Sequence, residues 1–314
     1  MQLIKQYKAS APGSLMLLGE YAVLFGGYSL VCAIDKRMTV ILMPREDSII
    51  TISSALGHHQ TDISSIEIGA PFQFVLATLK KFADQLPSGC DIVIQSEFSD
   101  QVGFASSAAV TVALIKAIYE WLGVACAPAF LIRTARKIIR EVQGIGSGAD
   151  VAACVLGGVV AYRAEPFLAE KIAYSYPLRV IYSGSKTKTV DAIAFVNNKF
   201  SDQPDELQSI LKKINECARM GMIAARSGNH ATLGKMMNEQ QIQMQALGVS
   251  TDIINKIIAE LTEYPDILGA KISGSGLGDC VIGLGSDTTS CLFRAPMSSI
   301  SLSCKIDTRG VYCE

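Results

Sequence analysis

Gly103-Phe104-Ala105-Ser106-Ser107-Ala108-Ala109 runs without a break into a helical pattern over residues 106–121. There Ala109, Val110, Ala113, Leu114, Ala117, Ile118 and Trp121 recur at helical spacing, and Gly123 closes the run. The join is informative. The first turn of a helix carries unpaired backbone N–H groups and the positive end of the helix dipole. Small residues there let an anion approach the main chain, and serine hydroxyls add donors or magnesium ligands. The stretch predicts a phosphate-holding loop at the head of a buried helix.

Two more glycine clusters flank it at a distance. Upstream, Ala11-Pro12-Gly13-Ser14 is followed by Gly19-Glu20-Tyr21 and Gly26-Gly27. Downstream, Ser273-Gly274-Ser275-Gly276-Leu277-Gly278 lies between a strand pattern and Asp279. Any one of them alone reads as a cap or a tight turn. Three, each near a strand–helix junction, point to a shared anionic ligand. The chain has no GxxxxGK[ST], no strict GxGxxG and no GxSxG. Its histidines, His58, His59 and His230, do not form HExxH, and the protein-kinase HRD and DFG set is missing.

Around the central stretch, strand and helix patterns alternate. Strands are predicted over 36–43, 48–53 and 90–96, with a helix over 72–82. A second amphipathic helix covers 129–142, with Arg133, Arg136, Lys137 and Arg140 on its polar face. Asp150 opens a short small-residue helix, where an N-cap is its simplest role. A strand follows over 159–163. From Pro177 onward the pattern gives a strand over 178–182 and helices over 189–196, 206–227, 230–247 and 251–261. Strands over 270–272, 279–284 and 301–306 complete it.

The 314 residues suit two domains. At 49% hydrophobic and 18% charged, the composition excludes general disorder. Lys plus Arg total 28 against 29 Asp plus Glu, for a net charge of −1. No chain-wide basic field for nucleic acid exists, so an anionic ligand must be held by local groups. The cysteines are Cys32, Cys90, Cys126, Cys154, Cys217, Cys280, Cys291, Cys304 and Cys313. They form no CxxC pair and read as buried reduced thiols of a cytoplasmic protein. The apolar run over 15–34 is broken by Gly19, Glu20, Gly26 and Gly27, unlike a secretory core. No run is long enough to predict a membrane span.

The three clusters, in this order, resemble the motifs of the galactokinase, homoserine kinase, mevalonate kinase and phosphomevalonate kinase (GHMP) superfamily. Within it, Gly19-Glu20-Tyr21-Ala22-Val23-Leu24, the segment from Met236-Asn238 to Leu247-Gly248-Val249-Ser250, and Gly269-Ala270-Lys271-Ile272-Ser273-Gly274 are most similar to the mevalonate kinases. Gln143-Gly144-Ile145-Gly146-Ser147-Gly148-Ala149-Asp150-Val151-Ala152 resembles phosphomevalonate kinases at least as well. The resemblance implies an α+β, two-domain GHMP kinase fold. Residues 1–176 would form a ribosomal-protein-S5-like domain and 177–314 a ferredoxin-like one, with ATP in the cleft between them. It implies ATP binding by Gly103, Phe104, Ala105, Ser106, Ser107 and Ala108, and Mg2+ binding by Ser107 and Glu141, although the spacing from Glu141 to Asp150 departs from the family's. Asp150 would be the catalytic carboxylate acting on a hydroxyl of mevalonate. Glu20 and Tyr21 would line the acceptor side, and Ser273, Gly274, Ser275 and Gly276 would close over the ligands. Lys186 and Lys188 fall where relatives place substrate-proximal residues. A homodimer is common in relatives. Phosphomevalonate or another small alcohol remains the alternative acceptor, and a non-catalytic ligand sensor the alternative function.

Two positions depart from the family pattern. Ala105 replaces a glycine, which is tolerable at negative φ. Ser14 stands where mevalonate and phosphomevalonate kinases commonly place a lysine that pairs with the catalytic aspartate. Lys8, Lys36 and Arg37 are candidate replacements by closeness in sequence.

Overall fold

Two long strands, apolar on both faces, set the architecture. The computed structural model describes residues 5–285 and 299–314, so Cys291 lies outside the described residues. The first part of the chain forms β1 (Tyr7–Leu18), β2 (Ser29–Pro44), β3 (Ile49–Ser54), β4 (Gly57–Asp62), α1 (Gln73–Phe82) and β5 (Cys90–Ser96). Then come α2 (Ser106–Trp121), α3 (Pro128–Gln143), α4 (Ala149–Leu156), β6 (Val159–Arg163) and β7 (Leu168–Ile172). The second part forms β8 (Leu178–Tyr182), α5 (Thr189–Lys199), α6 (Pro204–Arg226), α7 (His230–Leu247) and α8 (Asp252–Thr262). It ends with β9 (Ile267–Ser273), β10 (Cys280–Gly285), β11 (Ile300–Leu302) and β12 (Tyr312–Cys313).

The first sheet runs β12-β1-β2-β5-β3-β4. β2 is long enough to pair with β6 along its first half and with β5 along its second. Successive side chains of a strand point to opposite faces. On β1, Leu15 and Leu17 join one core layer and Met16 another; on β2, Leu30, Cys32 and Ile34 join the first, Val31 and Ala33 the second. Both faces are therefore covered. Helices α1 to α4 pack on one, with α2 buried on nearly every side from Ala108 to Ile118. Against the other lie Ala218 and Met222 of α6, Leu233 and Met237 of α7, and Ile282 and Leu284 of β10. Each fully buried leucine or isoleucine stabilises this arrangement by about 1.5–3 kcal/mol.

The second sheet, β11-β8-β10-β9, repeats the device. Val180 and Ile282 face the shared layer; Ile181, Ala270, Ile272 and Val281 face an outer layer built by α5 to α8. Among the described residues no helix is long and apolar enough to cross a membrane. The eight described cysteines are unpaired, and most are buried.

Three expectations change. β1 was not legible, because Pro12 and Gly13 read as a turn; they form a bulge inside the strand instead. Asp150 is not the N-cap of α4; Gly148 is, and Asp150 sits in the first turn. Residue 177 precedes β8, and β12, from the expected 177–314 domain, joins the first sheet rather than the second. After β11 the chain returns to the first sheet through the Ile34–Ile306 bridge, and β12 pairs with β1. Arg37 fixes this tail by donating to the Ser10 and Gly310 carbonyls, each at 2.9 Å, and by pairing with Asp307.

Candidate active site

A cleft of about 910 Å³ opens between the two sheets' loops. The start of α2 forms one wall. Gly103 (φ +70) and Ala105 (φ +55) turn the chain into the helix, and no side chain caps it. The Ala105 carbonyl accepts from the N–H of Ala108 and Ala109. The earlier N–H groups of the first turn have no intrahelical acceptor, as at any helix start. Gly103, Ala105, Ser106, Ser107 and Ala108 line the cleft; the Phe104 side chain does not. Phe104 is buried under the loop against Phe98, and only its carbonyl serves the site, accepting from Ser14 N–H at 3.2 Å. That contact explains Gly13, where a Cβ would come within 2.9 Å of the Phe104 oxygen. A methyl group at 105 would be tolerable at negative φ, but the φ here is positive. This left-handed backbone costs a non-glycine residue about 1–2 kcal/mol.

Asp150 enters the same cleft from the first turn of α4. Its Oδ1 accepts a hydrogen bond of 2.8 Å from Ser14 Oγ. Serine thus occupies the place expected of a lysine and supplies a neutral donor. Burial holds the Asp150 carboxyl above its ordinary value; the Ser14 hydrogen bond opposes this, and the Glu20 charge adds to it. The suggested replacement cations do not line the cleft. Lys8 pairs with Glu314 on the surface, and Arg37 holds the C-terminal tail. The cleft's own cations are Arg136, Lys186 and Lys188. Thr187 between them donates to the Leu277 carbonyl, and Lys186 donates to the Asp100 carbonyl.

Glu20 and Tyr21 reach the cleft but are engaged from within. Glu20 is 2% exposed and forms an ion pair with Lys271, which is fully buried. Gln240 donates to its other oxygen, and Gly274 N–H approaches at 3.4 Å. Burial pushes Lys271 down from its ordinary value while the Glu20 charge raises it. Tyr21 (φ +61) donates through its hydroxyl to the Ser275 carbonyl at 2.6 Å. Both residues therefore tie the first cluster to the third. Ser273, Gly274 and Ser275 line the cleft; Gly276 instead packs on Val249. Glu141 is not brought in. It stands on the exposed side of α3 with Lys137 4.0 Å away.

Asp279 also lines the cleft, and it was noted only as a boundary in the sequence. It is 7% exposed, and burial pushes its carboxyl up to about 6 against the pull of Lys186. Its signal was a charge directly after a glycine run; that of Lys271 was a charge within an apolar strand. Among the described residues, the buried side-chain atoms with no hydrogen-bond partner belong to Gln73, Thr111, Arg136, Ser275 and Asp279. All but Thr111 line this cleft. Buried polar atoms are rarely left unpaired, so their concentration here marks a ligand site.

Residues 73–158 match the GHMP kinases N terminal domain, and residues 222–290 match the GHMP kinases C terminal. Mevalonate kinase from Archaeoglobus fulgidus is 31% identical over 281 residues, covering 88% of this chain and 91% of that protein. The chain belongs to the GHMP kinases. As such it is a phosphotransferase with an alcohol acceptor, and its two-domain α+β fold is theirs. The Methanococcus jannaschii mevalonate kinase structure has a TM-score of 0.76 at 19% identity, covering 96% of this chain and 98% of that one. A Lactococcus lactis galactokinase structure reaches 0.83 at 15% identity, covering 98% and 95%. At such identities the likeness concerns the GHMP fold alone.

Proposed function

We propose that the protein is a mevalonate kinase, moving the γ-phosphoryl group of ATP to the primary hydroxyl of mevalonate. One observation carries the reading: the Asp150 carboxyl shares a cleft with the uncapped N-terminus of α2. Phosphoryl transfer asks a protein mainly for positioning and charge stabilisation. The first-turn N–H groups and Ser106 would bind phosphate oxygens. Asp150 would orient the acceptor hydroxyl and take its proton as the new O–P bond forms, while ADP leaves with the electrons of the broken bond. A carboxyl raised by burial is a better base than an ordinary aspartate, and a positioned base contributes about 10²–10⁴ in rate. A lysine at position 14 would counter this by stabilising the carboxylate; Ser14 does so only through a hydrogen bond.

Magnesium belongs to this reading. Among the described residues no three His, Cys, Asp or Glu side chains gather as a metal site. Phosphate oxygens and water would therefore supply most ligands, as magnesium prefers. Ser107 and one cleft carboxylate would complete them, and the unpaired Asp279 Oδ1 fits that need. The ion would neutralise charge on the phosphates.

Similarity to archaeal mevalonate kinases supports mevalonate as the acceptor. Lys186 and Lys188 would attract its carboxylate. Together with Arg136 they also suit a phosphorylated acceptor, which makes phosphomevalonate the second reading. The unpaired thiols support a reducing, cytoplasmic setting. A coupled ADP-release assay with Mg-ATP and mevalonate, phosphomevalonate or galactose tests the proposal. Turnover is expected with mevalonate and is lost in Asp150→Ala. Nucleotide binding without turnover on any of the three would instead indicate a ligand sensor.

A further inference from the structure

Asp279 is held rigidly at the edge of the phosphate loop. Its φ of +63 is unusual for a residue with a side chain. Its N–H donates to the Ser185 carbonyl at 2.8 Å, and its own carbonyl accepts from Ser183 N–H at 2.9 Å. The side chain is thereby aimed at Gly103, the first residue of the phosphate loop. A Cβ built on Gly103 would lie 3.0 Å from Asp279 Oδ1. That oxygen has no partner among the described residues, although Asp279 is only 7% exposed. Ser275, on the same loop and 9% exposed, also leaves its Oγ unpaired. The nearest cleft cation, Lys186, donates to the Asp100 carbonyl instead.

An ionised carboxylate at this place repels the phosphates that the loop is built to hold, unless a cation lies between them. The other acidic candidates are committed, exposed or remote: Asp100, which also lines the cleft, is solvent-exposed and accepts from Ser99 and Gln101. Glu20 is paired with Lys271, Asp150 is bonded to Ser14, and Glu141 points away on the surface of α3.

We propose that Asp279 is the protein carboxylate that ligates the divalent cation accompanying the nucleotide, in the role the sequence resemblance gave to Glu141. The proposal rests on the nucleotide reading of the cleft. Asparagine and glycine both tolerate positive φ, so Asp279→Asn and Asp279→Gly remove the charge without straining the backbone. Binding of β,γ-imido-ATP is measured by calorimetry for each variant with Mg2+ and with EDTA. Mn2+ affinity of the nucleotide complex is read by electron paramagnetic resonance. In the native protein Mg2+ is expected to tighten nucleotide binding by about tenfold or more. In both variants that ratio should approach one, chiefly because metal-free nucleotide binds better once the negative charge is gone. Mn2+ affinity should fall by about tenfold or more. An unchanged metal dependence in either folded variant overturns the assignment. A native protein that binds no nucleotide, with or without metal, overturns the nucleotide reading of this cleft instead.

Discussion

At the residue scale, burying the Asp150 carboxyl costs stability once it ionises. The carboxyl is raised by burial above the ordinary 3.8. A group whose folded value is raised favours folding when protonated. Below the unfolded value both states are protonated and burial adds no electrostatic cost. As pH rises, the unfolded state ionises first, and stability falls until the folded carboxyl has ionised as well. Asp150→Asn should therefore melt above the native protein at pH 7, with the gap closing near pH 4. Turnover should drop by about 10²–10⁴. Calorimetric melting at several pH values, with a rate assay at pH 7, checks both. Ala105 is the second strained residue. Glycine adopts its left-handed backbone freely, so Ala105→Gly should stabilise the fold by about 1 kcal/mol in urea unfolding. Nucleotide affinity should be retained, since only a methyl group leaves the cleft.

Between elements, the buried Glu20–Lys271 pair joins the turn after β1 to β9, and Gln240 brings in α7. Such a pair gains little over apolar packing but costs much when half of it is removed. Lys271→Met should destabilise the protein by about 3–5 kcal/mol, because Glu20 is left charged and unpaired. Adding Glu20→Gln should recover most of that loss. Denaturant unfolding of the two single variants and the double variant measures the coupling. If the pair also sets the third cluster against the first, the double variant should regain stability but not full turnover. The glycine cluster 273–276 would then be free to shift from the helix start.

For the whole molecule, the C-terminal tail connects the two sheets. The chain leaves the first sheet near residue 177, builds the second, and comes back to pair β12 with β1. Arg37 holds the returning segment, and its removal leaves Asp307, whose side chain is only 13% exposed, without its main partner. Arg37→Ala should lower the unfolding free energy by about 3–5 kcal/mol, as expected for breaking a buried pair. Arg37 does not line the cleft, so KM for ATP should stay within about twofold of the native value. Thermal melting and steady-state kinetics on the same sample separate the two effects.

Local pattern alone determined a good deal. The buried stripe of residues 106–121, the amphipathic helix before Gly144 and the strand at 178–182 follow from spacing, because a helix or strand that must bury one face displays its period in the sequence. The three glycine clusters marked the cleft, because backbone that closely approaches an anion or another strand excludes side chains. The remainder depended on contacts between distant residues. β1 was hidden because a Pro-Gly pair forms a turn unless a neighbouring chain holds it in a bulge. Glu20 lines the cleft, but its pairing with Lys271, far along the chain, leaves no mark in the local sequence. Glu141, the magnesium ligand that the resemblance implied, stands on the exposed side of α3, while Asp279, only a boundary in the sequence, lies against Gly103. A helix period cannot say which side of a partly exposed helix faces a cleft, whereas backbone hydrogen bonds in the folded protein aim Asp279 at Gly103. Sequence spacing limits which residues can be neighbours in one element; only packing decides which meet across elements, and this site is made of such meetings.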